Sequence, residues 1–154
     1  MRSGAEPFDS PDVQALCAAQ QAEMLGLYEG EADIGPARDA SMFVSPDGTF
    51  LVVRDDDGRA VACGGVARFD ATRGELKRMY VVPHARGRGI ARRVLAELER
   101  SARELGYTSL VLETGDRQPE ALGLYRSSGY EQIPCYPPYD RRVLSLCFEK
   151  RLEV

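Results

Sequence analysis

The chain has 154 residues, of which 44% are hydrophobic and 29% charged, and a formal net charge of −4. That is long enough for one domain with a real core, so a single unit spanning residues 1–154 is expected. An acidic balance argues against a nucleic-acid binder or an anionic-membrane binder, whose footprint is a broad basic surface.

No apolar run approaches the length of a membrane span, and the start "MRSGAEPFDSPD" lacks the apolar stretch of a secretory signal. The expected setting is therefore cytoplasmic, with no membrane or nucleic-acid partner and a homodimer left open. The four cysteines, Cys17, Cys63, Cys135 and Cys147, form no CxxC pair, and the single histidine, His84, completes no usual metal constellation. Reduced, mostly buried thiols and no metal are the expectation.

In chain order, "GAEPFDS" shows no clear strand. "SPDVQALCAAQQAEMLGLYEG" reads as a helix: Ser10 caps it ahead of Pro11, and Val13, Leu16, Cys17, Met24, Leu27 and Tyr28 recur at helical spacing. "EADIGPARDAS" is polar and broken by Gly35 and Pro36, a candidate lid or substrate loop. "TFLVVRDDDGRAVACGGVARFD" holds two strand-like runs around Asp56-Asp57-Gly58, a hairpin turn signal.

"GELKRMYVVP" is another strand, on which alternation puts Lys77 and Arg78 on opposite faces. "IARRVLAELERSARELG" carries one apolar stripe of Ile90, Val94, Leu95, Leu98, Ala102 and Leu105, stopped by Gly106. "YTSLVLET" is a strand, "QPEALGLYRSSG" a short helix closed by Gly129, and "RRVLSLCFEKRL" a final strand. This order predicts a mixed sheet with helices on its faces, of the α+β (α/β mixed) class.

Between the strand ending at Pro83 and the helix starting at Ile90 lies "HARGRG", with Arg86 and Arg88 around Gly87 and Gly89. A strand, a glycine turn and a helix N-terminus aim backbone N–H groups and the helix dipole at one point, which suits a phosphate or pyrophosphate. A P-loop needs Lys-Ser/Thr after its last glycine, and Ile90-Ala91 stands there instead. A dinucleotide fingerprint needs a third glycine where Arg92 stands, and too little chain follows for a doubly wound sheet.

"ELKRMYVVPHARGRGIARRVL" resembles the acyl-CoA-binding core of the GNAT superfamily of N-acetyltransferases, whose Arg/Gln-x-x-Gly-x-Gly/Ala motif Arg86 to Ala91 fit. "EALGLYRSSGY" resembles the family's Ala-x-x-Leu-Tyr-x-x-x-Gly-Phe/Tyr helix and turn, and the likeness runs roughly from Phe50 to Phe148. The resemblance implies a twisted mixed sheet, mostly antiparallel, with a central parallel splayed pair and flanking helices.

It further implies acetyl-CoA as cosubstrate. The backbone of Met79, Tyr80 and Val81 would meet the pantetheine arm, and the amides of Arg86, Gly87, Arg88, Gly89, Ile90 and Ala91 would hold the pyrophosphate. Gln118 stands where the family often carries a cofactor-contacting asparagine. Tyr125 would protonate the leaving thiolate, and Glu75 matches a position that serves some members as general base.

Acetyl transfer to an amine needs a neutral nitrogen, a held thioester and a proton for sulfur. A backbone N–H from Val81 could meet the developing oxyanion, and Glu113, at a strand end, rivals Glu75 as base. Tyr28, Tyr136 and Tyr139 are candidates to line an acceptor pocket. Lys77 or Arg78, Arg38, Arg68, Arg141 and Arg142 are candidates to greet a substrate carboxylate. The function expected is N-acetyl transfer to a primary amine, preferably of a small molecule, by direct attack in a ternary complex. The alternative is a non-catalytic acyl-CoA sensor of the same fold.

Overall fold

The structure, a computed structural model, describes residues 1–28 and 40–153. The candidate lid falls outside the described residues up to position 39, as does Arg38. In chain order the elements are β1 (Arg2–Ala5), α1 (Pro11–Leu27), β2 (Thr49–Arg54), β3 (Ala60–Arg68), β4 (Arg73–Val81), α2 (Ile90–Glu104), β5 (Ser109–Gly115), α3 (Pro119–Ser127), β6 (Glu131–Ile133) and β7 (Ser145–Arg151). The strands form one sheet in the order β1-β2-β3-β4-β5-β7-β6. Every neighbouring pair is antiparallel except β4 and β5. The mixed sheet expected from the sequence is thus observed.

Local chemistry explains most boundaries. Ser10 Oγ accepts from Val13 N at 3.4 Å and Pro11 takes the first helical position, where its missing N–H costs nothing. In the β2–β3 turn, Asp55 Oδ1 accepts from the amides of Asp57 and Arg59, and Gly58 adopts φ 82°. Gly106 and Gly129 end α2 and the α3 turn at positive φ. β1 is a mostly exposed edge strand whose order comes from pairing with β2, so its own residues carry no period-two signal.

The two faces of the sheet carry separate cores. On one, α2 lays Ile90, Val94, Leu95 and Leu98 against Leu76, Leu110 and Phe148. On the other, α1 lays Val13, Leu16 and Cys17 over Cys63, Ala67 and the Phe8–Phe43–Phe50 aromatic group. Among the described residues no helix is long and apolar enough to cross a membrane.

One cysteine expectation needs correcting. Cys135 and Cys147 are joined in a disulfide, while Cys17 and Cys63 are free and buried. The register Ile133↔Cys147 between β6 and β7 brings Cys135 beside Cys147, with Cα atoms 5.0 Å apart, within disulfide reach. The three-residue β6 is too short to read from sequence, so that proximity was not visible there.

Gly65 of β3 underlies the aromatic group. A Cβ there would lie 2.7 Å from Phe50 and 2.8 Å from Phe43. Gly65→Ala is expected to lower the stability by about 1–3 kcal/mol through overpacking. Urea unfolding should show a lower midpoint at unchanged m-value.

Candidate functional site

Parallel pairing of β4 with β5 covers only Arg73↔Ser109, Gly74↔Leu110 and Glu75↔Val111. Beyond Glu75 the two strands part. On the other side of β4, the ladder with β3 steps from Gly65↔Lys77 to Cys63↔Tyr80, so β4 has one residue more than its partner there. That extra residue is a β-bulge, and Arg78 within it adopts φ 59°, a conformation costly for a side chain with a Cβ. A bulge raises local twist and re-aims the strand, which turns β4 away from β5.

The bulge also breaks alternation. Glu75, opposite Ala67, and Lys77 face α1, as Lys77 Nζ to Glu75 Oε2 at 2.7 Å attests. Arg78 lies on that same face, lining one cavity with Lys77 and with Gln20 and Met24 of α1. Burial pushes the thiols of Cys17 and Cys63 up, and the Arg78 charge acts against the rise in both. The expectation of opposite faces for Lys77 and Arg78 is therefore corrected: strict alternation fails where a residue is inserted.

In the gap, β4 presents backbone groups that no strand takes up. Val82 N bonds Val61 O, so the preceding residue, Val81, turns its N–H and C=O toward the gap. Gln20 Nε2 reaches Met79 O at 2.9 Å, and Arg86 Nε reaches Val81 O at 2.9 Å. Tyr80 is paired with Cys63 in the ladder and offers its ring instead, with the Arg86 guanidinium 5.6 Å from the centroid.

A cavity of about 660 Å³ opens here, lined by Met79, Tyr80, Val81, Gly87, Gly89 and Tyr125 among others. Gly87 and Gly89 have φ of 80° and 76°, and a Cβ on either would meet nothing within 4 Å. Gly89 caps α2 without a side-chain bond, and the amides from Gly87 to Arg92 find no acceptor among the described residues. Unspent N–H groups at a helix start, in open space, form a cradle for a phosphate-like anion.

The structure thus brings Gly87, Gly89, Ile90 and Ala91 to one cavity, while the Arg88 side chain is exposed outside the lining. Arg86 lines the cavity with its charge paired to Glu23 at 2.7 Å. Arg92, which the sequence reading passed over as a site residue, also lines it, and it donates to the Ser127 hydroxyl at 3.0 Å.

A second cavity of about 370 Å³ lies on the other side of Tyr125. Gln20, Met24, Met79, Gln118, Ala121 and Tyr125 line both. Gln118 holds Thr114 Oγ1 through its Nε2 at 3.2 Å. Tyr125 is 6% exposed; burial, helped by the Glu113 charge, pushes its phenol up, so it keeps its proton across the physiological range.

Glu113 lines the second cavity at half burial. Desolvation raises its pKa, and the Ser145 hydroxyl at 2.7 Å with the charges of Lys77 and Arg142 only partly oppose that. Glu75 does not line the cavity; its Oε2 accepts from Tyr136 at 3.0 Å and pairs with Lys77. Tyr28, Tyr139 and Arg142 line the cavity, whereas Tyr136 supports Glu75 from behind and Arg68 pairs elsewhere with Asp47.

Two buried polar atoms on this cavity's residues lack partners among the described residues: Arg78 Nη1 and Gln20 Oε1. Such groups each cost about 1–3 kcal/mol when left unsatisfied. Gln20 was missed from sequence, although it falls on the α1 stripe between Cys17 and Met24. A polar residue on a buried stripe was the available signal.

The Acetyltransferase (GNAT) family profile matches residues 14–130, well over half of the chain. The chain belongs to the GNAT acetyltransferase family. It is 40% identical over 150 residues to the IAA acetyltransferase of Azospirillum brasilense, covering 94% of this chain and 95% of that one. A Klebsiella pneumoniae structure bearing the name acyl-CoA N-acyltransferase superposes with a TM-score of 0.83 at 30% identity, over 99% of this chain and 97% of that one. A GNAT acetyltransferase from Elizabethkingia anophelis with acetyl-CoA bound has a TM-score of 0.69 at 14% identity, over 98% and 97%, a likeness of fold.

As a GNAT protein the chain is an acyltransferase, and the open space over Gly89 is where its cradle for an anion is most easily spoiled. Gly89→Val puts a β-branched side chain at φ 76° and into that space. It is expected to weaken coenzyme A binding by about tenfold or more. Calorimetric titration of coenzyme A into both proteins checks this.

Proposed function

We propose that this protein transfers the acetyl group of acetyl-CoA to the primary amine of a small molecule, by direct attack in a ternary complex. One observation carries the reading: two cavities meet at Tyr125 across the gap between β4 and β5. One cavity has an anion cradle at its end and the other a carboxylate, so donor and acceptor can enter from opposite sides and react at the waist. The acetyl-CoA in the Elizabethkingia structure supports the choice of donor.

Glu113 removes a proton from the acceptor ammonium, directly or through water. Its raised pKa suits it to that task better than an ordinary carboxylate. The freed nitrogen attacks the thioester carbon; the C–N bond forms and the C–S bond breaks. The Val81 N–H faces the gap and meets the oxyanion as it develops. Tyr125 donates its proton to the departing sulfur and is reprotonated by the second proton, which the nitrogen sheds as the amide forms, while Glu113 passes the first to solvent. Gln118 and Met79 hold the thioester end, and the amides from Arg86 to Ala91 hold the pyrophosphate.

Glu75 is assigned to the floor of the acceptor cavity, because its carboxylate is engaged by Lys77 and Tyr136. A sensor of the same fold would bind acetyl-CoA and release no thiol with any amine.

Two outcomes are expected from amine-dependent thiol release. Tyr125→Phe should lower kcat by about 10²-fold with acetyl-CoA affinity unchanged. Glu113 acts in its ionised form, so kcat/KM should fall as pH drops through its raised pKa, with that limb above the ordinary carboxylate range of about 4.3. Glu113→Gln should abolish the limb. Ser145→Ala, which removes a bond that favours the ionised form, should move it to higher pH. A limb that persists in Glu113→Gln would return the base role to another group.

A further inference from the structure

We infer that the acceptor is an amino-carboxylic acid whose carboxylate docks on Arg78; this deepens, and rests on, the reading of acetyl transfer above. The two unpartnered atoms on the acceptor cavity have opposite needs. Arg78 Nη1 is a buried cationic donor without an acceptor, and Gln20 Oε1 is a buried acceptor without a donor. They do not satisfy each other. The orientation of the Gln20 amide is set by Nε2 donating to Met79 O, which leaves Oε1 as the free end.

A ligand that answers both carries a planar anion and an N–H on one small skeleton. A carboxylate matches the guanidinium fork, and an α-nitrogen supplies the N–H. The charge of the cavity agrees. Among the described residues Lys77, Arg78 and Arg142 line it against one carboxylate, that of Glu113, in a chain whose net charge is −4. Lys77 is already paired with Glu75, and Arg142 lies over the Tyr139 ring at 5.3 Å. The Arg78 side chain has no ion pair or hydrogen bond among the described residues.

Backbone geometry points the same way. A non-glycine residue at φ 59° is strained, and this one also buries an unpaired guanidinium nitrogen, so the bulge concentrates two costs in one residue. A bound carboxylate relieves the second. Apolar room beside it, from Met24, Leu76, Leu112 and Leu144, suits an aliphatic or aromatic side chain on the acceptor.

The test compares matched pairs: leucine with leucinamide, methionine with methioninamide, and phenylalanine with phenylalaninamide. Thiol release from acetyl-CoA is followed in the wild type and in Arg78→Met. Methionine keeps the Cβ and much of the length, so it adds no backbone strain. At neutral pH more of the amide is unprotonated, so uncatalysed chemistry favours the amides. We expect the acids to lead by about tenfold or more in kcat/KM in the wild type, and the lead to shrink to about twofold in Arg78→Met. Arg78→Lys should restore part of it.

In parallel, N-acetylleucine and N-acetylleucinamide are titrated calorimetrically into the coenzyme A-loaded protein. Amine turnover with no acid preference, or a preference that survives Arg78→Met, overturns the carboxylate site and leaves acetyl transfer standing. Arg78-dependent binding of N-acetylleucine with no thiol release from any amine does the reverse. Absence of both preference and binding overturns the site. Should Arg78→Met fail to fold, the matched pairs on the wild type decide.

Discussion

A single inserted residue in β4 sets the terms for everything around it. Parallel strands hold together through evenly spaced ladder bonds, and this pair keeps them only from Arg73 to Glu75. Past that point the bulge at Arg78 turns β4 aside, and the protein meets the cost of unmade backbone bonds with side chains: Gln20 at Met79 and Arg86 at Val81. Buried backbone groups must find partners. What remains open, the Val81 N–H and the amides of the loop before α2, is what a ligand can use.

Beneath the second cavity lies a polar floor. Lys77 bridges Glu75 and the Tyr139 hydroxyl, Tyr136 closes on Glu75, and Glu75 and Lys77 are nearly inaccessible. Charges this far from water are tolerable only when paired and bonded on several sides, and removing one partner strands the other. The floor therefore resists change. Glu113, one strand over, has fewer partners and lines the cavity, so the same residue type meets a different environment there.

Much of the fold was legible in the sequence because its signals are local. The α2 stripe, the Ser10 cap, the Asp-Gly turn and the Gly87–Gly89 loop each follow from a few neighbouring residues, and each is where expected. The features missed are those made between distant segments. β1 and β6 owe their order to the strands beside them, the Cys135–Cys147 bridge depends on the β6–β7 register, and the shared face of Lys77 and Arg78 depends on a bulge that no alternation pattern announces. For the site, Arg86, Gly87, Gly89, Ile90 and Ala91 line one cavity, while the Arg88 side chain lies outside it. The different partners of Glu113 and Glu75 come from separate segments of the chain and carry no local signal.

The disulfide bears on how such a protein diversifies. It ties Cys135, two residues past β6, to Cys147 in β7, and the chain between carries Tyr139, Arg142 and Ser145 on the wall of the second cavity, with Tyr136 behind it on Glu75. That wall is a closed ring of sequence whose ends are fixed by a covalent bond, while the loop of unbonded amides is built from the end of β4 and the start of α2. Side chains within the ring can be exchanged, or the ring lengthened, without moving its anchor points or the cradle. This part of the cavity wall is a cassette in the covalent sense, and the bridge is its frame.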